Sequence, residues 1–274
     1  TGIQQSNTIY VDTENGDDAN SGSPTEKVKT LKQAMELAKA GDTILVTGKI
    51  GSGFFNNNKA SVIDKPIEIR GAGDTPVHVS SSVLLPEKVA GQVKLANFSF
   101  DNISTIGLYG DSTAYKDLEL VIEDCLFTQA SGNCVYIAPV INSLTVSGCT
   151  FTAPESTSYQ KQYMVWPYQA KTITIKDNIF DGKGIVRGAV HLGNGHPEGT
   201  TAQVEGNRFL NLERGVQLAF TNKATNEVAI TGNTFENIAL FEQSEAKSYE
   251  TASVFVHESL DTEGSTTTVS YDYN

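Results

Sequence analysis

The sequence predicts an all-β chain wound into a parallel solenoid, with one short helix capping its N-terminal end. A recurring ten-residue pattern and the alternation of apolar residues inside each copy carry that reading. The copies are VKLANFSFDN from Val93, LVIEDCLFTQ from Leu120, LTVSGCTFTA from Leu144, ITIKDNIFDG from Ile173, AQVEGNRFLN from Ala202 and VAITGNTFEN from Val228. Aligned on the last aromatic, Phe100, Phe127, Phe151, Phe180, Phe209 and Phe235 succeed one another at intervals of 24 to 29 residues. A period of that length with looser insertions between copies marks a repeat architecture whose units stack.

Within each copy, residues such as Ile173 and Ile175 alternate with polar neighbours, which puts them on one face of a strand. A two-residue turn follows, and the phenylalanine points back inward. The residue two before the phenylalanine is Asn178, Asn207 or Asn233 in the late copies, Cys125 or Cys149 in the middle ones and Phe98 in the first. An asparagine there tolerates a left-handed turn conformation, and stacked asparagines can bond to one another along the axis. Copies set at the strand spacing of about 4.8 Å would form a parallel β-coil.

The pattern φ-x-φ-x-x-N-x-F, followed by segments such as GVQL, resembles the coils of right-handed parallel β-helix proteins of the pectate-lyase-like group. The resemblance covers most of the chain. It implies a single right-handed parallel β-helix over residues 1–274: an N-terminal strand, acidic loop and cap helix over 1–42, coils over 43–237, and C-terminal strands over 238–274. That fold carries lyases, hydrolases, esterases, adhesins and inert modules alike, so function has to come from the site.

The N-terminal elements follow in order. Thr8 to Asp12 reads as a strand and ENGDDANSGSPTEK as a polar loop. TLKQAMELAKAG reads as a helix, with Thr30 as N-cap, Gln33 three residues on as in a capping box, and Gly41 to end it. Leu31, Ala34, Met35 and Ala38 form its apolar stripe, fit to shield the strand edges of the first coil. This order of strand, polar loop, helix and GDTI resembles the N-terminal cap of many secreted β-helix proteins, which implies an extracellular or cell-surface location. KPIEIRGAG, from Lys65, resembles a strand and turn of the same group. GSGFFNNNKAS, between the two early strands, is an insertion expected to project. SVFVHESL and TTTVSYDYN supply the last strands.

Composition narrows the partners. The net charge is −12, from 20 Lys and Arg against 32 Asp and Glu. With no basic run, this argues against nucleic acid. Pectin-like polyanions would meet the same repulsion unless calcium bridges it or the charge lies off the binding face. No apolar run is long enough to span a membrane, and the oligomeric state is left open. The chain holds three cysteines. Cys125 and Cys149 would lie close enough for a disulfide, but in-register side chains are poorly aimed for one, so both read as small buried residues and Cys134 as a free thiol.

Between each phenylalanine and the next copy lies a second short strand: TIGLYG, NCVYIAP, QYMVWPY, GAVHLGN, RGVQLAF and ASVFVHE. The resemblance implies that this sheet and the loops after it form the substrate groove. With Ile106, Leu108, Val135, Ile137, Val190, Leu192, Val216 and Leu218 inward, alternation exposes Tyr109, Tyr136, His191, Gln217 and Phe255, with His257 near the end. In YMVWPY, an inward Tyr163 and Val165 would turn Met164 and Trp166 outward. The stripe Tyr109, Tyr136, Trp166, His191, Gln217 would suit polysaccharide, since sugar rings present apolar C–H faces. It would equally suit cross-strand packing beneath a loop.

Three further constellations bear on chemistry. Uronate β-elimination needs a base and a positive charge or metal to neutralise the carboxylate. Lys183, Arg187 and His191 are of the right types, with Arg208 and Arg214 one coil on. They are catalytic candidates for a polysaccharide lyase, although the lyase signatures of the family are not matched. Hydrolysis needs two facing carboxylates, and the outward positions hold none. The loop residues Asp12, Asn15, Asp17, Asp18 and Asn20 offer hard oxygen ligands, making Ca²⁺ an optional structural ion where no cofactor is otherwise required. The leading expectation is a β-helix module that binds polysaccharide without strong catalysis. The rivals are a uronate lyase and a structural or adhesin domain with a protein partner.

Overall fold

The computed structural model describes residues 6–57, 60–84, 89–101, 105–110, 113–128, 133–155, 158–241, 244, 251–256 and 264–272. The chain forms a right-handed parallel β-helix. Its main sheet is built from parallel pairings, and the short pairing of Asn56–Asn57 with Ala60–Ser61 is antiparallel.

Each coil contributes to three faces. On the first, Ile44, Ile69, Leu95, Ile122, Val146, Ile175, Val204 and Ile230 stand in one register column. On the second, Val79 is followed by Phe100, Phe127, Phe151, Phe180, Phe209 and Phe235. These six rings stack at 4.6–5.2 Å between centroids, tilted by no more than 17°. On the third, Val83, Ile106, Val135, Val165, Val190, Val216 and Val254 form the column. Identical strand spacing puts like side chains above like, so the three columns share one continuous apolar core.

The turn between the first two faces corrects the sequence expectation by one position. The left-handed residues are Asn97, Asp124, Gly148, Asp177, Gly206 and Gly232, each one before the expected site. They are the residue types that adopt positive φ at least cost. The following residue points inward. Asn178 Nδ2 donates to Asn207 Oδ1 and Asn207 Nδ2 to Asn233 Oδ1, both at 2.9 Å. Each amide oxygen also accepts from the backbone of the preceding coil: Cys149 N, Asn178 N and Asn207 N all donate at 2.9 Å. These buried amides are therefore satisfied along the axis. Cys125, Cys134 and Cys149 are free and buried.

The cap helix spans Leu31–Leu37, with Thr30 as N-cap accepting from Gln33 N. It buries Leu31, Ala34 and Met35, and Ala38 is buried beside them. The helix ends earlier than expected, with Ala38 as C-cap. Lys65 Nζ reaches the last turn and donates to the Met35 and Ala38 carbonyls at 2.6 and 3.1 Å, so a charged side chain satisfies groups that a glycine cap would otherwise serve. Ala252–Val256 and Thr266–Tyr271 supply the expected C-terminal strands. Among the described residues no helix is long and apolar enough to cross a membrane.

Candidate functional site

The outer side of the third face carries the aromatic residues. Register places Gly107, Tyr136 and Trp166 side by side on three successive coils, and His191, Gln217 and Phe255 side by side on the next three. Tyr109 lies two residues beyond Gly107. A Cβ on Gly107 would sit 2.8 Å from the Tyr109 ring, so the bare glycine lets that ring fold back over its own strand. Tyr109 then stacks on Tyr136 at 5.5 Å and 28°. Gly193 likewise lies directly under the His191 ring and Gly188 under the Tyr163 ring.

Strict alternation fails at the corner that leads into this face. Met164 and Val165 both lie in the core, as do Cys134 with Val135 and Ala189 with Val190. Two consecutive side chains point inward on each of these coils, which reverses the parity of whatever precedes them. Tyr163 therefore faces outward and Met164 inward, opposite to expectation. Tyr163 packs on Trp166 at 5.7 Å and on His191 at 4.9 Å. Tyr168, two residues past Trp166, joins the same surface. It stacks on Trp166 at 4.9 Å and 29° and meets the Tyr136 ring edge-on at 5.4 Å, with its hydroxyl 3.3 Å from that of Tyr136. Burial first, and then the Tyr136 hydroxyl, push the Tyr168 phenol upward. The Tyr168 hydroxyl thus stays protonated at neutral pH.

Tyr109, 58% exposed, and the half-buried Tyr136, Trp166 and Tyr168 form one continuous aromatic surface. His191 and Gln217 do not share it as exposed groups. They are only 7% and 4% exposed, because they lie against the rings. The His191 ring is 4.4 Å from the Trp166 ring. Gln217 Oε1 accepts from Arg214 Nη1 at 2.8 Å and from the Tyr163 hydroxyl. That fixes the amide so that Nε2 donates to His191 Nε2 at 3.2 Å. Arg214 also donates to the Tyr163 hydroxyl at 2.8 Å and lies 4.2 Å over the Phe255 ring, a cation–π contact. His257 lies outside the described residues.

The three lyase candidates go to different partners. Lys183 occupies a left-handed corner, φ +51°, and pairs with Asp181 at 3.4 Å. Arg187 donates to the Tyr159 hydroxyl at 3.3 Å. His191 bonds to Gln217. A carboxylate missed in the sequence lies close to Arg187. Glu213 is 0% exposed and accepts from the Tyr159 hydroxyl, from Ser244 Oγ at 2.9 Å and from Phe241 N at 3.4 Å. Burial and then Glu213 push the Tyr159 phenol upward. The clue was the Glu213–Arg214 pair just before GVQL, but its partners are tens of residues away in sequence. Glu213 is buried and bonded to Phe241 N and Ser244 Oγ, so it does not face the aromatic surface as an open acid or base.

The acidic loop uses its oxygens internally. Asp12 Oδ1 accepts from Glu14 N and Asn15 N at 3.0 and 2.9 Å. Asp17 Oδ1 accepts from Ala19 N at 2.9 Å. Asp18 accepts from Lys29 N, Thr30 N and the Thr30 hydroxyl at 2.7–2.9 Å. Asn20 donates its amide to Lys27 O. Among the described residues no group of three or more His, Cys, Asp or Glu is gathered so as to hold a metal ion. The carboxylates of Asp12, Asp17 and Asp18 thus serve the N–H groups of the loop and of the helix start.

Residues 87–259 match the family described as right-handed beta helix region. The chain belongs to that family. The columns of this β-helix begin before the matched stretch, at Ile44 and Val79, so the N-terminal coils share its geometry. No curated protein matches the chain. A solved structure, the GH136 lacto-N-biosidase from Eubacterium ramulus, is similar at 12% identity with a TM-score of 0.36, over 86% of this chain and 52% of that one. The chain spans about half the length of that enzyme.

Proposed function

We propose that this β-helix is a secreted or cell-surface module that binds polysaccharide on the surface formed by Tyr109, Tyr136, Trp166 and Tyr168, without strong catalysis. The observation that supports this most is the continuity of those four rings across three coils, with partly exposed faces. Aromatic faces accept the C–H side of pyranose rings, and the paired hydroxyls of Tyr136 and Tyr168 offer hydrogen bonds to sugar hydroxyls. The bonded chain of Tyr163, Arg214, Gln217 and His191 underlies Trp166 and limits its motion, which reduces the ordering cost of binding. Glu213, bonded to Tyr159, is covered, which favours binding over hydrolysis.

Retention of the protein on a panel of insoluble and arrayed polysaccharides tests the reading. Trp166→Ala is expected to weaken binding by about 2 kcal/mol, roughly thirty-fold, as for a central aromatic anchor. Tyr136→Ala acts in the same direction. No retention of the wild-type protein, or equal retention of both variants, would leave the surface as plain packing. Release of unsaturated uronate products, lost in Lys183→Ala or Arg187→Ala, would replace binding by lyase activity.

A further inference from the structure

At the N-terminal end, the loop before the cap helix and the start of the 51–61 insertion flank an open cavity of about 520 Å³. Its lining includes Lys29, Lys32, Lys49, Ser52, Phe54 and Asn57. Three of the chain's 20 basic residues thus meet at one cavity in a chain of net charge −12. Among the described residues none of the three ammonium groups forms an ion pair. The one carboxylate in the lining, Asp18, already accepts three hydrogen bonds from Lys29 N, Thr30 N and Thr30 Oγ1. It holds the Lys29–Thr30 segment in place and its charge acts on Lys29, so the lining sets three ammonium groups against one carboxylate.

The rest of the lining is suited to a sugar. Phe54 is half-buried, held edge-on against the buried Phe55 at 5.1 Å, and gives an apolar wall. Ser52 and Asn57 supply a hydroxyl and an amide. Thr13 turns its hydroxyl to the Lys49 carbonyl at 2.8 Å, which anchors the strand end that carries the third lysine. Charges more than about 8 Å away are largely screened at physiological salt, so the groups at the lining weigh most in what this cavity attracts.

We propose that this cavity is a second saccharide site, separate from the aromatic surface, that takes a pyranose unit bearing a compact anion, a carboxylate or a sulfate ester. The ammonium groups hold the anion, Phe54 takes the C–H face of the ring, and Ser52 and Asn57 bond to its hydroxyls.

Calorimetric titration at about 150 mM salt, where charges beyond about 8 Å are screened, tests the site. The probes are a uronate tetrasaccharide, a sulfated tetrasaccharide, a neutral tetrasaccharide of the same length and inorganic sulfate. The protein should bind at least one charged tetrasaccharide, and the one bound names the anion. Lys29→Ala, Lys32→Ala and Lys49→Ala combined should weaken that binding ten-fold or more, with the neutral probe unaffected. Phe54→Ala should weaken the saccharide but not inorganic sulfate. Trp166→Ala should leave charged-probe binding at this site intact, so failure here and failure of the aromatic surface are read separately. No binding of either charged probe, equal binding by the triple lysine variant, or sulfate binding as tight as that of the tetrasaccharide would overturn the proposal.

Discussion

Trp166 owes its place to small neighbours as much as to its own strand. Gly107, Gly188 and Gly193 leave room for the rings of Tyr109, Tyr163 and His191, and the surface around Trp166 is assembled from rings lying over glycines. The core makes the opposite use of side chains, filling every position of its phenylalanine stack. Phe180→Ala removes a fully buried ring between two stacked neighbours. It should cost about 3–5 kcal/mol in denaturant unfolding, and a loss below 1 kcal/mol would show that the stack is not tightly packed. Gln217→Ala should cost about 1–3 kcal/mol, since it strips bonds from the buried Arg214 and Tyr163. At this scale the sequence was legible wherever side chains alternate, as in Ile106, Val135, Val190 and Val216. It was misleading at Tyr163 and Met164, because a corner that points two successive side chains inward leaves no mark in the residue pattern. Glu213 was hidden because Tyr159 and Ser244 approach it from distant coils.

Among elements, the acidic loop and the loop after Asn194 show how polar residues secure the ends of coils. Asp18 ties the loop to the helix start, and hydrogen bonds to the charged form, opposed first by burial, hold its carboxyl below the ordinary range. Asp18→Ala should lower stability by about 1–2 kcal/mol, as loss of a cap does. A chelator should leave the melting temperature of the wild-type protein unchanged, because the loop carboxylates serve backbone N–H groups. A melting temperature that falls with chelator and recovers with calcium would reverse that reading. His196 accepts from Glu198 N through Nδ1 at 3.0 Å. Its pKa is lowered from 6.5, by burial first, with Glu198 opposing and Lys171 adding. The folded ring binds its proton more weakly than the unfolded chain does. Its contribution is therefore complete above about pH 6.5 and declines as pH falls through the lower folded value. Urea midpoints at pH 7.5 and pH 5.5 should show a smaller drop in His196→Asn than in wild type. The helix and its stripe could be read from Leu31, Ala34, Met35 and Ala38. Its stop at Ala38 could not, because Lys65 comes from the next coil to cap it.

Across the whole molecule, the repeat makes the register and the register makes the site. Parallel strands set residue above residue, so an aromatic at one coil position becomes a surface when neighbouring coils place aromatics beside it. The chain holds one tryptophan, and it lies within that surface, in contact with Tyr136, Tyr163, Tyr168 and His191. Its emission therefore reports directly on what binds there. Titration of the fluorescence with oligosaccharides from each polysaccharide retained by the protein tests the central claim. The expected result is a saturable change in Trp166 emission whose midpoint matches the calorimetric affinity and weakens roughly ten-fold or more in Tyr136→Ala. Binding of a neutral oligosaccharide seen by calorimetry with Trp166 emission unchanged, or no binding of any oligosaccharide, would contradict it.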